Sequence, residues 1–76
     1  MNAPSRPGET DRFLTHLFSA QSARTGGVVR RKIGEVERKI GRARLELEVR
    51  RRGYHLIECG GQFVIVCSNA DIRLVC

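Results

Sequence analysis

Tryptophan is absent from this sequence, and the aromatic residues amount to one tyrosine and three phenylalanines. So few rings leave little with which to stack bases, so single-strand recognition through aromatic platforms is disfavoured. Proline occurs only at Pro4 and Pro7, so nothing of that kind interrupts helices or strands further along. Cysteine is sparse and odd in number, at Cys59, Cys67 and Cys76, which argues against a closed disulfide framework. No run approaches the roughly 18 apolar residues of a membrane span, and Met1–Arg12 has no apolar core of the kind a secretory leader needs. Together these absences predict a cytoplasmic protein with reduced thiols and no membrane partner. A length of 76 residues suits one small domain, far short of the about 250 residues of a (β/α)₈ barrel.

What is abundant is positive charge, and it is concentrated. The chain carries 14 Lys and Arg against 8 Asp and Glu, a formal net charge of +6. Residues 24–52 alone hold eleven cations, Arg24, Arg30, Arg31, Lys32, Arg38, Lys39, Arg42, Arg44, Arg50, Arg51 and Arg52, against Glu35, Glu37, Glu46 and Glu48. That segment is the electrostatic footprint expected of a nucleic-acid binder. The competing reading is a solvated helical surface with pairs such as Glu35–Lys39, Glu46–Arg50 and Glu48–Arg52 at i,i+4 spacing. Counting each glutamate once still leaves seven cations uncompensated.

The spacing of apolar residues predicts the elements. Residues 1–9 read as a disordered tail, and 10–76 as the domain. Phe13, Leu14, Leu17 and Phe18 form one stripe of a helix over 10–24, with Thr10 as cap and Gly26-Gly27 as terminator. Val29, Ile33, Val36, Ile40, Ala43 and Leu47 continue a heptad-like stripe, predicting a helix over 28–40. Leu45 and Val49 fall on the side opposite Leu47, so one straight rod would be apolar on two sides. A turn at Gly41 that reorients a helix over 42–52 removes the conflict; an exposed strand over 45–50 is the rival reading, because that stretch also alternates. Beyond Gly53 the period changes to two. Strands over 54–59 and 62–67 flank Gly60-Gly61, a two-residue hairpin signal. A turn over 68–71 leads to a third strand over 72–76. The expected architecture is therefore α+β: helices on one face of a three-stranded antiparallel meander, winged-helix-like, with a helix-turn-helix at Gly41. Tyr54, Leu56, Phe63, Ile65, Cys67, Ile72, Leu74 and Cys76 would face the helices. The second face, with Ile57, Val64, Val66 and Val75, is apolar enough to serve self-association.

Chemistry-bearing groups are few. In this hairpin Cys59 and Cys67 lie on opposite faces at opposite ends, too far apart for a shared metal or disulfide. No CxxC and no closely spaced His pair exists, so the thiols read as small hydrophobes and no metal or cofactor is expected. Ser19, Ser22, Thr25 and Ser68 join no motif with His16 or His55, and Gly26-Gly27 lacks the lysine-hydroxyl pair of a phosphate-binding loop. The residues point away from an enzyme.

The helix-turn-helix pattern is half matched. Val36, Ile40 and Leu47 occupy apolar positions of that motif, whereas Glu37, Arg42 and Arg50 depart from it. Residues 42–52 would form the recognition helix and Gly60-Gly61 a short wing, with Arg30, Arg31 and Lys32 holding phosphates. The expected site is Arg30, Arg31, Lys32, Arg38, Lys39, Arg42, Arg44, Arg50, Arg51 and Arg52, acting on duplex DNA as a regulator, without any cofactor and able to pair as a homodimer. The alternative is an adaptor that docks an acidic protein or a second copy through the sheet's second face. The runs Arg12-Phe13-Leu14-Thr15-His16-Leu17-Phe18, Gly26-Gly27-Val28-Val29-Arg30-Arg31, Glu48-Val49-Arg50-Arg51-Arg52-Gly53 and Gly61-Gln62-Phe63-Val64 resemble a small group of short uncharacterised bacterial proteins, some labelled phosphoribosylanthranilate isomerase. That enzyme is a (β/α)₈ barrel, so the resemblance implies no activity and no catalytic residue here.

Overall fold

A computed structural model of the chain describes residues 7–76. Its elements run α1 (Pro7–Ser19), α2 (Gln21–Arg24), β1 (Val28–Lys32), α3 (Ile33–Lys39), α4 (Arg42–Arg51), β2 (His55–Cys59) and β3 (Gln62–Val66). The class is α+β, with a three-stranded antiparallel sheet ordered β1-β3-β2.

The Gly60-Gly61 hairpin forms in the expected register, with Ile57 opposite Val64 and Cys59 opposite Gln62. Both glycines have positive φ, 59° and 75°, as a turn matching the strand twist requires. Phe63, Ile65 and Cys67 are buried on the helix-covered face, with Leu56 and Tyr54 packed against them.

The third strand is a correction. Residues 72–76 form no strand; β1 occupies that side of β3, pairing Val29 with Ile65 and Arg31 with Phe63. Ile65 therefore faces Val29 rather than a residue of 72–76, and the sheet is no meander. Residues 28–32 are accordingly extended rather than the start of a helix over 28–40. The valines Val28 and Val29 suit a pleated surface, and the ladder is prolonged at both ends, by Cys67 N–H to Gly27 O at 2.9 Å and Ile33 N–H to Gly61 O at 3.1 Å. Tertiary pairing overrides the heptad pattern.

The expected helix over 10–24 is two helices. Ala20 is extended (φ −60°, ψ 152°). A straight helix would carry Gln21 inward below Leu17; the break leaves Gln21 exposed and buries Ala23. Thr10 lies inside α1 rather than capping it, and Pro7, Gly8 and Glu9 belong to its first turn, where the N–H that proline lacks would be unpaired in any case. The rest of the expected tail, residues 1–6, lies outside the described residues.

Gly41 does break the helix, at φ 85° and ψ 151°. This reorientation buries Leu45 and Val49 and turns Ala43 and Leu47 to solvent, Leu47 being 51% exposed. Leu47 is thus no core residue of the turn motif. The core gathers Leu17, Val36, Leu45, Phe63 and Ile65 between the helices and the inner sheet face.

Candidate nucleic-acid interface

The ten predicted site residues divide into two groups with different electrostatics. Arg30, Arg31, Lys32, Arg38 and Lys39 line one open groove of about 1190 Å³, joined by Arg12, Phe13 and His16 of α1 and Gln62 of β3. Glu9 and Glu35 are its only carboxylates, so six cations face two anions. None of Arg12, Arg30, Arg31, Lys32 or Arg38 ion-pairs within the described residues. Arg31 donates to the Arg30 carbonyl at 2.7 Å, and the Lys39 ammonium lies 6.0 Å from the Phe13 ring centre. Three elements supply the charged side chains of this groove. Burial of Leu14 and Leu17 turns Glu9, Arg12 and His16, spaced by three and four, along another side of α1; β1 brings a consecutive Arg-Arg-Lys; α3 supplies Arg38 and Lys39.

The arginines of α4 and its cap are mostly neutralised. Arg42 donates to Glu58 at 2.7 Å and Glu46 at 3.3 Å, and the Glu58 hydrogen bond, followed by its charge, raises the Arg42 pKa. Glu46 thus pairs with Arg42, not with Arg50 as its spacing suggested. Arg44, Arg51 and Arg52 converge on Glu48 at 2.9, 3.4 and 2.8 Å, and Arg44 also reaches Asp11 at 4.0 Å. Glu48 is only 5% exposed. Its pKa lies below the ordinary carboxylate value, chiefly through the Arg52 hydrogen bond, with burial opposing and Arg44 and Arg51 assisting. Arg52 also stacks 3.9 Å from the Phe18 ring centre. Arg50 is exposed and has no ion-pair partner among the described residues.

Sequence reasoning missed Arg12, His16 and Gln62. The three-and-four spacing on α1 carried a signal for the first two; Gln62 arrives only through its pairing with Lys32. The predicted association residues also divide. Ile57, Val64 and Val66 share the outer sheet face with Val28, and Val75 lies outside the sheet.

Of the phenylalanine and tyrosine rings, Phe13 alone lines the groove among the described residues, and it is half-buried. Phe63 is buried, Phe13 and Tyr54 are half-buried, and Phe18 packs on Tyr54 with centroids 6.1 Å apart. Cys59, Cys67 and Cys76 are free thiols, and burial raises the Cys67 pKa. Among the described residues no three His, Cys, Asp or Glu converge as a metal would need, and no helix is long and apolar enough to cross a membrane. No family model, curated protein or solved structure matches this chain.

Proposed function

We propose that this protein binds nucleic acid, duplex DNA in preference to single strands, by seating the phosphate backbone in the α1–β1–α3 groove. The observation that carries this reading is the convergence of Arg12, Arg30, Arg31, Lys32, Arg38 and Lys39 on one groove with two carboxylates. Released counterions, not base contacts, supply most affinity in such an interface. That the groove holds one half-buried ring, Phe13, rather than a row of them supports the duplex over the single strand.

Support for a winged helix-turn-helix arrangement comes from the element order: two helices, strand, helix, turn at Gly41, helix, hairpin. In that arrangement α4 is the base-reading helix. Ala43, Leu47 and Arg50 stand at i, i+4 and i+7 on it, all exposed. Small apolar groups suit thymine methyls and a partner-free arginine suits guanine edges. Regulation of transcription by a dimer is the biological role this binding mode implies.

Fluorescence anisotropy with a labelled duplex, titrated at increasing KCl, tests the reading. With six or more phosphates engaged, affinity falls about 10³-fold or more between 50 and 200 mM salt. The Arg30→Gln, Lys32→Gln, Arg38→Gln triple variant lowers the log–log salt slope by about 3 and leaves the fold unchanged. Arg50→Ala weakens binding to a cognate duplex more than to random sequence. Salt-independent binding, or a triple variant with the wild-type slope, overturns the assignment. Capture of poly-glutamate where duplex DNA fails would transfer the groove to an acidic protein partner.

A further inference from the structure

Residues 71–76 belong to no helix or strand, are exposed and are unpaired: Leu74 and Val75 are 90% and 93% accessible, and none of the six makes a hydrogen bond or ion pair within the described residues. Opposite in character is the free edge of β2. Hydrogen-bonded pairs alternate along an antiparallel ladder, and Cys59–Gln62, closing the two-residue turn, is one of them. His55 and Ile57 therefore direct their backbone groups to β3, while Leu56 and Glu58 direct theirs outward, with no acceptor or donor beyond. Under this edge lies a cleft of about 410 Å³, with Val49, Tyr54, Leu56 and Phe63 as its apolar wall and Arg42, Glu46, Arg50 and Glu58 as its charged rim.

We infer that residues 72–76 of one copy add as an antiparallel strand to the β2 edge of a second copy, reciprocally, making a strand-exchanged dimer. One register matches on every position. With Leu74 opposite Ile57, Arg73 lies opposite Glu58 and Val75 opposite Leu56. Leu74 then extends the outer apolar face, where side chains of a non-hydrogen-bonded pair approach closely. Val75 enters the cleft beside Leu56, and Arg73 meets Glu58, whose Oε1 accepts from Arg42 and whose Oε2 has no partner among the described residues. A parallel strand with Leu74 opposite Ile57 would set Arg73 against Leu56 and Val75 against Glu58, mismatching both.

The occupant is a second copy because the chain cannot reach its own edge in this sense. Asn69 lies beside Gly53, where an added methyl would stand 3.8 Å from its Cβ, and the Ala70 carbonyl is 2.7 Å from His55 Nε2. The chain thus passes β2 at its His55 end, advancing in the same sense as β2. Antiparallel addition needs Ile72 beside Cys59, about 13 Å up the strand, and then a reversal. Two residues cannot do this; a dyad-related chain can, and exchange by a two-fold closes the assembly. This inference does not depend on nucleic-acid binding.

Sedimentation velocity over a concentration series tests it, with circular dichroism as the check on folding, since residues 73 and 75 touch no core residue. Wild type is expected to dimerise. Arg73→Glu and Val75→Lys are each expected to weaken association about tenfold or more, and Glu58→Lys added to Arg73→Glu to restore it to within about threefold. A monomeric wild type at 200 μM (a concentration chosen as about the working limit for so small a chain) overturns the proposal. So does a dimer that survives Val75→Lys but dissolves with Val64→Lys, which would mean face-to-face packing. Failure of Glu58→Lys to rescue Arg73→Glu overturns the register and with it the exchange.

Discussion

Glu48 shows how one residue can reverse the meaning of its neighbours. Read along the chain, Glu48 has Arg52 as its i,i+4 partner; folded, that pair forms and Arg44 and Arg51 close on the same carboxylate, which the helix has turned inward. Such a carboxylate titrates below its unfolded value, so its contribution to stability is complete above the unfolded pKa and is lost as pH falls through the lower folded one. Stability measured by urea unfolding is therefore expected to be flat above about pH 5 and to decline below about pH 4. Glu48→Gln is expected to flatten that acid limb relative to wild type. At neutral pH Glu48→Ala should cost about 1–3 kcal/mol, because it strips hydrogen bonds from three guanidinium groups at once.

Within the elements, two glycines make opposite predictions. Gly41 holds φ 85° and ψ 151°, a region that residues with a Cβ occupy only with strain, and nothing lies within 4 Å of an added methyl. Gly41→Ala should therefore destabilise by about 1–3 kcal/mol through backbone strain alone. Gly34 sits inside α3 with equally open surroundings, and Gly34→Ala should stabilise by about 0.5–1 kcal/mol. Thermal melts of the two variants read the difference directly. The turn at Gly41 also decides which side of α4 is core. Leu45→Ala should cost about 2–5 kcal/mol, whereas Leu47→Ala, at a half-exposed site, should stay within about 0.5 kcal/mol.

For the molecule as a whole, the net charge of +6 is less informative than where compensation occurs. Carboxylates cluster with the arginines of α4, and the α1–β1–α3 groove is left with the excess. Like charges held together in a groove repel, so Arg38→Gln is expected to leave stability unchanged or raise it slightly while weakening polyanion binding. A chemical melt and an anisotropy titration on the same sample separate the two effects. Strand pairing, not charge, decides the fate of residues 72–76: β1 claims the edge of β3 that this segment was expected to take, leaving apolar side chains in water.

Much of this was legible in the sequence. Period-two alternation around Gly60-Gly61 determined the hairpin and its register, since a one-residue slip would exchange the two faces. The two-sided stripe across 29–49 required a turn at Gly41, and the α+β class followed. Local pattern could not decide which segment would supply the third strand. Val28–Lys32 and Ile72–Cys76 both suit an extended edge, and that choice rests on long-range pairing with Val66 through Gln62. Nor could it say which cations stay free. An arginine's charge is written in the sequence, but its compensation depends on whichever carboxylate packing brings within hydrogen-bond reach, and only the tertiary structure sets that distance.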